Sequence, residues 1–165
     1  MEAIKTQEPG TSPTLDCYTN QGTVKVFSKT VTVKSNERTE LINLSADIRQ
    51  FVEATAVNDG YVQISSLHTT AGLFVNEWQD ALLTDVKSLF ERMVPRETYY
   101  RHNDPEFSDC DRQNADSHLR NLVIGHNLSI PIAERSLVLG RWQNIILAEF
   151  DGPNQRKVFM QVFGV

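Results

Sequence analysis

Leu128-Ser129-Ile130-Pro131-Ile132, Leu137-Val138-Leu139, Asn144-Ile145-Ile146-Leu147-Ala148-Glu149-Phe150 and Lys157 to Phe163 are short β-prone runs split by turns. Read together, they decide the fold class. Strands that follow one another without intervening helices do not build alternating β-α units. They point to an α+β chain with a largely antiparallel sheet. Pro131 has no ladder donor to offer, so its run reads as an edge strand or a bulge. Glu149 stands out in an apolar run. Burying a lone carboxylate is costly, so it is expected to be paired, to face solvent, or to belong to a polar pocket or subunit contact.

Upstream of this block the pattern is mixed. From Thr23 to Val33, apolar and polar residues alternate, as in one or two half-buried strands. Leu44, Ile48, Phe51, Val52 and Thr55 fall at helical spacing, with Ser45 or Asn43 where an N-cap belongs and Asp47 in the first turn. Asn58-Asp59-Gly60 is a turn signal, and Tyr61-Val62-Gln63-Ile64-Ser65 reads as the strand after it. That strand breaks into a polar turn, Ser66-Leu67-His68-Thr69-Thr70-Ala71-Gly72-Leu73. A helix is expected over residues 78–93, with Leu82, Val86, Leu89, Phe90 and Met93 as its core face and Pro95 at its end. Residues 95–112 have no periodicity, and Asn114 to Gly125 suits a short helix. The expected order is ββ-α-β-α-loop-ββββ: two main helices, with residues 1–20 as a poorly ordered tail and residues 21–165 as a single domain.

Composition narrows the function. The 165 residues are 40% hydrophobic and 22% charged with a formal net charge of -5, so nothing marks a basic nucleic-acid-binding surface. No apolar run is long enough to span a membrane, and the N-terminus lacks the apolar core of a secretory signal. Cys17 and Cys110 lie far apart, outside any CxxC spacing, which argues against a disulfide framework and for a reducing, cytoplasmic setting. No organic cofactor is indicated, since neither a P-loop, a dinucleotide fingerprint nor a nucleophile elbow occurs.

What remains is a set of histidines. His68 ends a strand beside Thr69 and Thr70, with Glu77 downstream; His102 lies in Tyr99-Tyr100-Arg101-His102-Asn103-Asp104, and His118 in Asn114-Ala115-Asp116-Ser117-His118-Leu119-Arg120. If the loop and short helix fold back over the strand end, the three imidazoles converge. Three imidazoles suit a divalent ion with an open position, or proton transfer near neutral pH. Arg101, Arg120 and Arg141 could cradle a phosphate or carboxylate, although scattered arginines are more commonly solvated surface charges. His126 reads as a surface or capping residue. Trp142 reads as packing, and a catalytic thiol at Cys110 has no general base nearby by spacing.

The segments His68-Thr69-Thr70-Ala71-Gly72-Leu73, Asn76-Glu77, Tyr100-Arg101-His102, Asn114-Ala115-Asp116-Ser117-His118-Leu119, Gly140-Arg141-Trp142-Gln143 and Ala148-Glu149-Phe150-Asp151-Gly152-Pro153 resemble the YjbQ family, the secondary thiamine-phosphate synthase proteins. The match runs from about residue 22 to the C-terminus. The resemblance implies a β-sandwich-like α+β core and a homotrimer. It also implies a pocket where His68, His102 and His118 meet, with Glu77, Asn114 and Gln143 nearby. The implied activity joins hydroxymethylpyrimidine diphosphate to a thiazole phosphate and releases pyrophosphate, with a divalent ion (Zn or Mg) as a candidate cofactor. On that basis His68, His102, His118 and Glu77 are the catalytic candidates, with the three histidines also as metal ligands. Thr69, Thr70, Arg101, Asn114, Arg120 and Gln143 are the candidates for holding a small phosphorylated or anionic metabolite. A metal-dependent hydrolase or lyase, or a non-catalytic small-ligand-binding protein, are the alternatives. Asn127, where the family often has serine, and Arg141, where it commonly has a small residue or threonine, depart from the pattern.

Overall fold

The computed structural model describes residues 19–165, so Cys17 and most of the tail expected over residues 1–20 lie outside the described residues. Strands and helices follow in the order β1 (Lys25–Lys34), β2 (Glu40–Asn43), α1 (Ser45–Thr55), β3 (Gly60–Ser66), β4 (Ala71–Glu77), α2 (Asp80–Met93), α3 (Ala115–Ile124), β5 (Asn127–Ala133), β6 (Ser136–Leu137), β7 (Gln143–Glu149) and β8 (Gln155–Gly164). They form two sheets, β1-β8-β3-β5-β6 and β2-β7-β4, in which every pairing is antiparallel. The α+β class expected from the strand runs is the fold observed.

The core explains the layering. Val62, Ile64, Ile130, Ile132, Val158, Met160 and Val162 of the larger sheet share one apolar cluster with Leu73, Ile145 and Leu147 of the smaller sheet and with Ile48 and Val52 of α1. Alternate residues of β7, Ile146 and Ala148, belong to a second cluster with Phe150 and Phe90 of α2. The two phenylalanine rings meet edge-on, centroids 5.0 Å apart. β7 is thus covered on both faces, which is why its sequence is a continuous apolar run with no alternation. β6 pairs with β5 at Ile132 and Ala133, and the Val138 N–H just beyond it donates to the Pro131 carbonyl at 2.9 Å, so only the N-terminal half of β5 is at the sheet's edge, the setting expected from Pro131.

Several expectations need correction. The smaller sheet contains β2 and β4, neither of which was read from the sequence. Ala71 to Glu77 is a strand along its whole length, so Ala71, Gly72 and Leu73 are not part of the polar turn expected there. α2 begins at Asp80, capped by the Gln79 side chain, which accepts from the Leu82 N–H at 2.8 Å. Its buried face uses Leu83, Val86 and Phe90, while Leu89 and Met93 are exposed. Trp142 is 60% exposed, with the Arg141 guanidinium 4.6 Å from its ring centre.

Gly72 shows how closely α3 is seated on β4. The Leu73 N–H donates to the Gly125 carbonyl at 3.0 Å. A Cβ on Gly72 would collide with the Asn121 side chain and lie 2.6 Å from the Gly125 carbonyl oxygen and from the Ile124 Cδ1. Gly72→Ala is therefore expected to cost about 1–3 kcal/mol through overpacking. A thermal melt matching wild type would contradict this packing.

Candidate functional site

The β3–β4 turn brings His68 beside the start of β8. Its Nε2 accepts the Lys157 backbone N–H at 2.7 Å, and its Nδ1 lies 3.5 Å from Arg156 Nη1. Arg156 is itself buried. Its Nε and Nη2 donate to the Glu149 carboxylate, each at 2.5 Å, and Nη2 also donates to Thr70 Oγ1 at 3.0 Å. Ser35 Oγ and the Asp151 N–H complete the donors to Glu149. Glu149 is thus paired, and the pair ties β7 of one sheet to β8 of the other. Arg156 was not foreseen. Its signal was an arginine in the inward parity of β8, in step with Val158, Met160 and Val162.

The second half of the site is built where α3 begins. Asn114 is buried, and its Nδ2 donates to Asp151 Oδ2 at 2.8 Å. A carboxylate cannot donate, so this bond fixes which end of the amide is which. Asn114 Oδ1 then faces His102 Nε2 at 3.3 Å and accepts from Cys110 Sγ at 3.5 Å. Facing an acceptor, His102 Nε2 is the donor of this contact. Asp151 is held by Arg38 and Arg112, another support not foreseen.

His102 and His118 touch edge to face, ring centroids 5.0 Å apart at 86°. His118 borders two hollows. One is an open cleft of about 670 Å³, lined by His68, Thr69, His118, Leu119 and His126 among others. The other, about 290 Å³, is lined by Tyr100, Arg101, His102, Ala115, His118 and Leu119. The His118 pKa is lowered from the ordinary imidazole value of 6.5, first by burial and then by His102 beside it, against the pull of Asp151 and Asp116. The His68 pKa is lowered from 6.5 by burial and then by Arg156, with Glu149 opposing and Lys157 adding to the shift.

These shifts set an acid sensitivity. A native state that favours neutral imidazoles binds fewer protons than the unfolded chain, so stability rises with pH across that interval. It is fully present above 6.5 and lost as pH falls below that value towards the lower native pKa values. The denaturation midpoint is expected to fall between about pH 7 and about pH 5.5. The fall is expected to be shallower in His118→Gln, and equal slopes for the two proteins would contradict the assignment.

The remaining candidates divide clearly. Thr69 lines the larger cleft, and Thr70 is engaged by Arg156. Arg101 borders the smaller hollow, its guanidinium 5.1 Å from the Phe107 ring centre. Arg120 is buried against Glu91 and the Val94 carbonyl, so it is structural in this chain and does not belong to an anion cradle. Glu77 pairs in register with Gln143 at one end of the smaller sheet, whereas Ala71 pairs with Glu149 at the other. Six strand steps, roughly 20 Å, separate the two ends. Within one chain, then, neither Glu77 nor Gln143 joins the histidines. Gln143 Oε1 instead accepts the Gly140 N–H at 2.7 Å.

The arrangement also bears on the expected divalent ion. Among the described residues, no group of three His, Cys, Asp or Glu is placed to hold a metal. The lone pair of His68 Nε2 is taken by the Lys157 amide, and Arg156 Nη1 lies 3.5 Å from its Nδ1. His68, His102 and His118 as placed in one chain do not fit a three-imidazole ion, and no step below is routed through one.

A family profile described as UPF0047 protein YjbQ-like matches residues 29–165. A UPF0047 protein of Methanothermobacter thermautotrophicus is 33% identical over 141 residues, covering 86% of this chain and 94% of its own. The UPF0047 protein YugU of Bacillus subtilis is 29% identical over 140 residues, covering 82% and 98%. Among solved structures, a YbjQ-like protein of unknown function from Sulfolobus solfataricus P2 superposes with a TM-score of 0.80 at 28% identity, covering 86% of this chain and 99% of that one.

Proposed function

Since the chain belongs to the YjbQ-like UPF0047 family, we propose that it is an enzyme acting on a small phosphorylated or anionic metabolite by proton transfer at the His102–His118 pair. The observation that carries this reading is the edge-on contact of the two rings, with His118 open to both hollows. Two imidazoles in contact resist carrying two positive charges at once, so at most one ring of the pair is charged at a time. One ring then serves as the acid while the other is a base, the condition general acid–base catalysis needs near neutral pH. Asn114 orients His102, and Arg101 brings a positive charge to the same hollow.

The finest form of the proposal is the transferase reaction implied by the family resemblance. A thiazole phosphate nitrogen attacks the methylene carbon of hydroxymethylpyrimidine diphosphate, the carbon–oxygen bond to diphosphate breaks, and the pair gives a proton to the departing oxygen. The choice of these two substrates rests on the resemblance, while acid–base work on an anion rests on the geometry. The cytoplasmic setting and the homotrimer belong to the proposal too; no helix among the described residues is long and apolar enough to cross a membrane. Exposed Leu119, Leu122 and Val123 on α3, beside the larger cleft, favour assembly there.

The test is pyrophosphate release and thiamine-phosphate formation by the purified chain, run beside a panel of phosphorylated and carboxylate metabolites. Turnover of at least one of them that depends on His118 is expected. Tight binding with no turnover anywhere in the panel would replace the enzyme with a binding protein.

A further inference from the structure

His68 presents an unresolved pairing of donors. The Lys157 amide can only donate, so His68 Nε2 must accept, and a neutral ring then carries its proton on Nδ1. That N–H points toward Arg156 Nη1, itself only a donor, at 3.5 Å. Arg156 is 6% exposed, and its Nε and Nη2 donors are spent on Glu149 and Thr70. Two N–H groups facing each other satisfy neither, and a donor of buried Arg156 left so is costly. The mismatch is removed by an acceptor that both can reach.

We infer that His68 Nδ1–H and Arg156 Nη1–H form an oxyanion subsite at the edge of the larger cleft, which seats a phosphate or carboxylate group of the ligand. Three features favour an anion over a neutral acceptor. Donors of two side chains, one of them a guanidinium, lie 3.5 Å apart, His68 in the wall of the cleft and Arg156 behind it. Arg156, Lys157 and Glu149 together leave a net positive charge around the ring. Burial and the neighbouring cations also keep His68 from taking up a second proton, so it stays a neutral donor whose other nitrogen remains anchored to β8. The inference rests on the anionic-ligand reading given above. It assigns His68 a task different from that of His102 and His118: holding the charged end of the ligand without moving protons. Arg156 is then a binding residue as well as the partner of Glu149.

The test uses the full chain, nitrogen-15 labelled, with inorganic phosphate and acetate as separate probes. Saturable movement of the His68 ring and Arg156 side-chain signals is expected with at least one probe, and the probe that binds more tightly identifies the oxyanion class. His68→Phe, which spares the Arg156–Glu149 pair, is expected to weaken that binding about tenfold or more, the value of a charge-assisted hydrogen bond. His68→Asn serves if the phenylalanine variant does not fold, and the wild-type titration stands without either. Unmoved His68 and Arg156 signals, or undiminished binding in the folded variant, would overturn the subsite. If the probes move His118 and leave His68 untouched, only the subsite fails. If they bind at His68 while turnover ignores His118, the subsite holds and the proton-transfer reading fails.

Discussion

Arg156→Met lowers the stability of this fold by about 3–5 kcal/mol, the expected result of removing one partner from a buried ion pair. Glu149 is fully buried, and its strongest donors are the two Arg156 nitrogens at 2.5 Å. Ser35 Oγ at 3.1 Å and the Asp151 amide at 2.8 Å remain, too few to solvate a charged carboxylate inside the protein. The loss reaches further than one contact. Arg156 lies on β8 and Glu149 on β7, so the pair joins the two sheets where the smaller one begins. Adding Glu149→Gln to Arg156→Met removes the stranded charge and is expected to recover a substantial part of the loss. Urea denaturation of the three proteins checks this. A single variant as stable as wild type, or a double variant no better than the single, would show that the pair is not a structural tie.

His118→Gln is the second large effect, and it falls on turnover. Removing a general acid–base group typically costs about 10²–10⁴-fold in rate. His118 borders both hollows and is the ring for which burial and a neighbouring imidazole disfavour the protonated form. Glutamine keeps a polar side chain of similar length, so stability is expected to stay near wild type above about pH 7 while kcat collapses. Equal loss of stability and rate would instead mark His118 as structural. Comparison with His102→Gln separates the two rings: if the pair shares one proton, either change removes the coupling, and the two losses do not add.

How much of this was legible in sequence depended on which physical signal each residue carried. β7 declared itself because Ile145, Ile146, Leu147 and Ala148 are apolar on both parities, as a strand covered on both faces must be. α1 showed through the spacing of Ile48, Phe51 and Val52. β4 was hidden: Thr69, Thr70, Ala71 and Gly72 carry the composition of a turn, and Gly72 is a glycine because α3 leaves no room for a Cβ. That one misreading propagated to the site. Read as lying just downstream of a turn, Glu77 is a near neighbour of His68; as the last residue of a strand it is at the opposite end of the sheet. Residues 95–112 had no period to read, so the placement of His102 beside His118 depended on contacts distant in sequence. Glu149 was marked as needing a partner, but its partner could be found only once two strands from different sheets were side by side.

The most direct measurement is a pH titration of the His118 ring, followed through its Cε1–H resonance in the wild-type protein and in His102→Gln. A midpoint below 6.5 in the wild type, moving upward when His102 is removed, is the predicted result. A midpoint at or above 6.5 would mean that neither burial nor His102 governs the ring, and the proton-transferring pair would be contradicted.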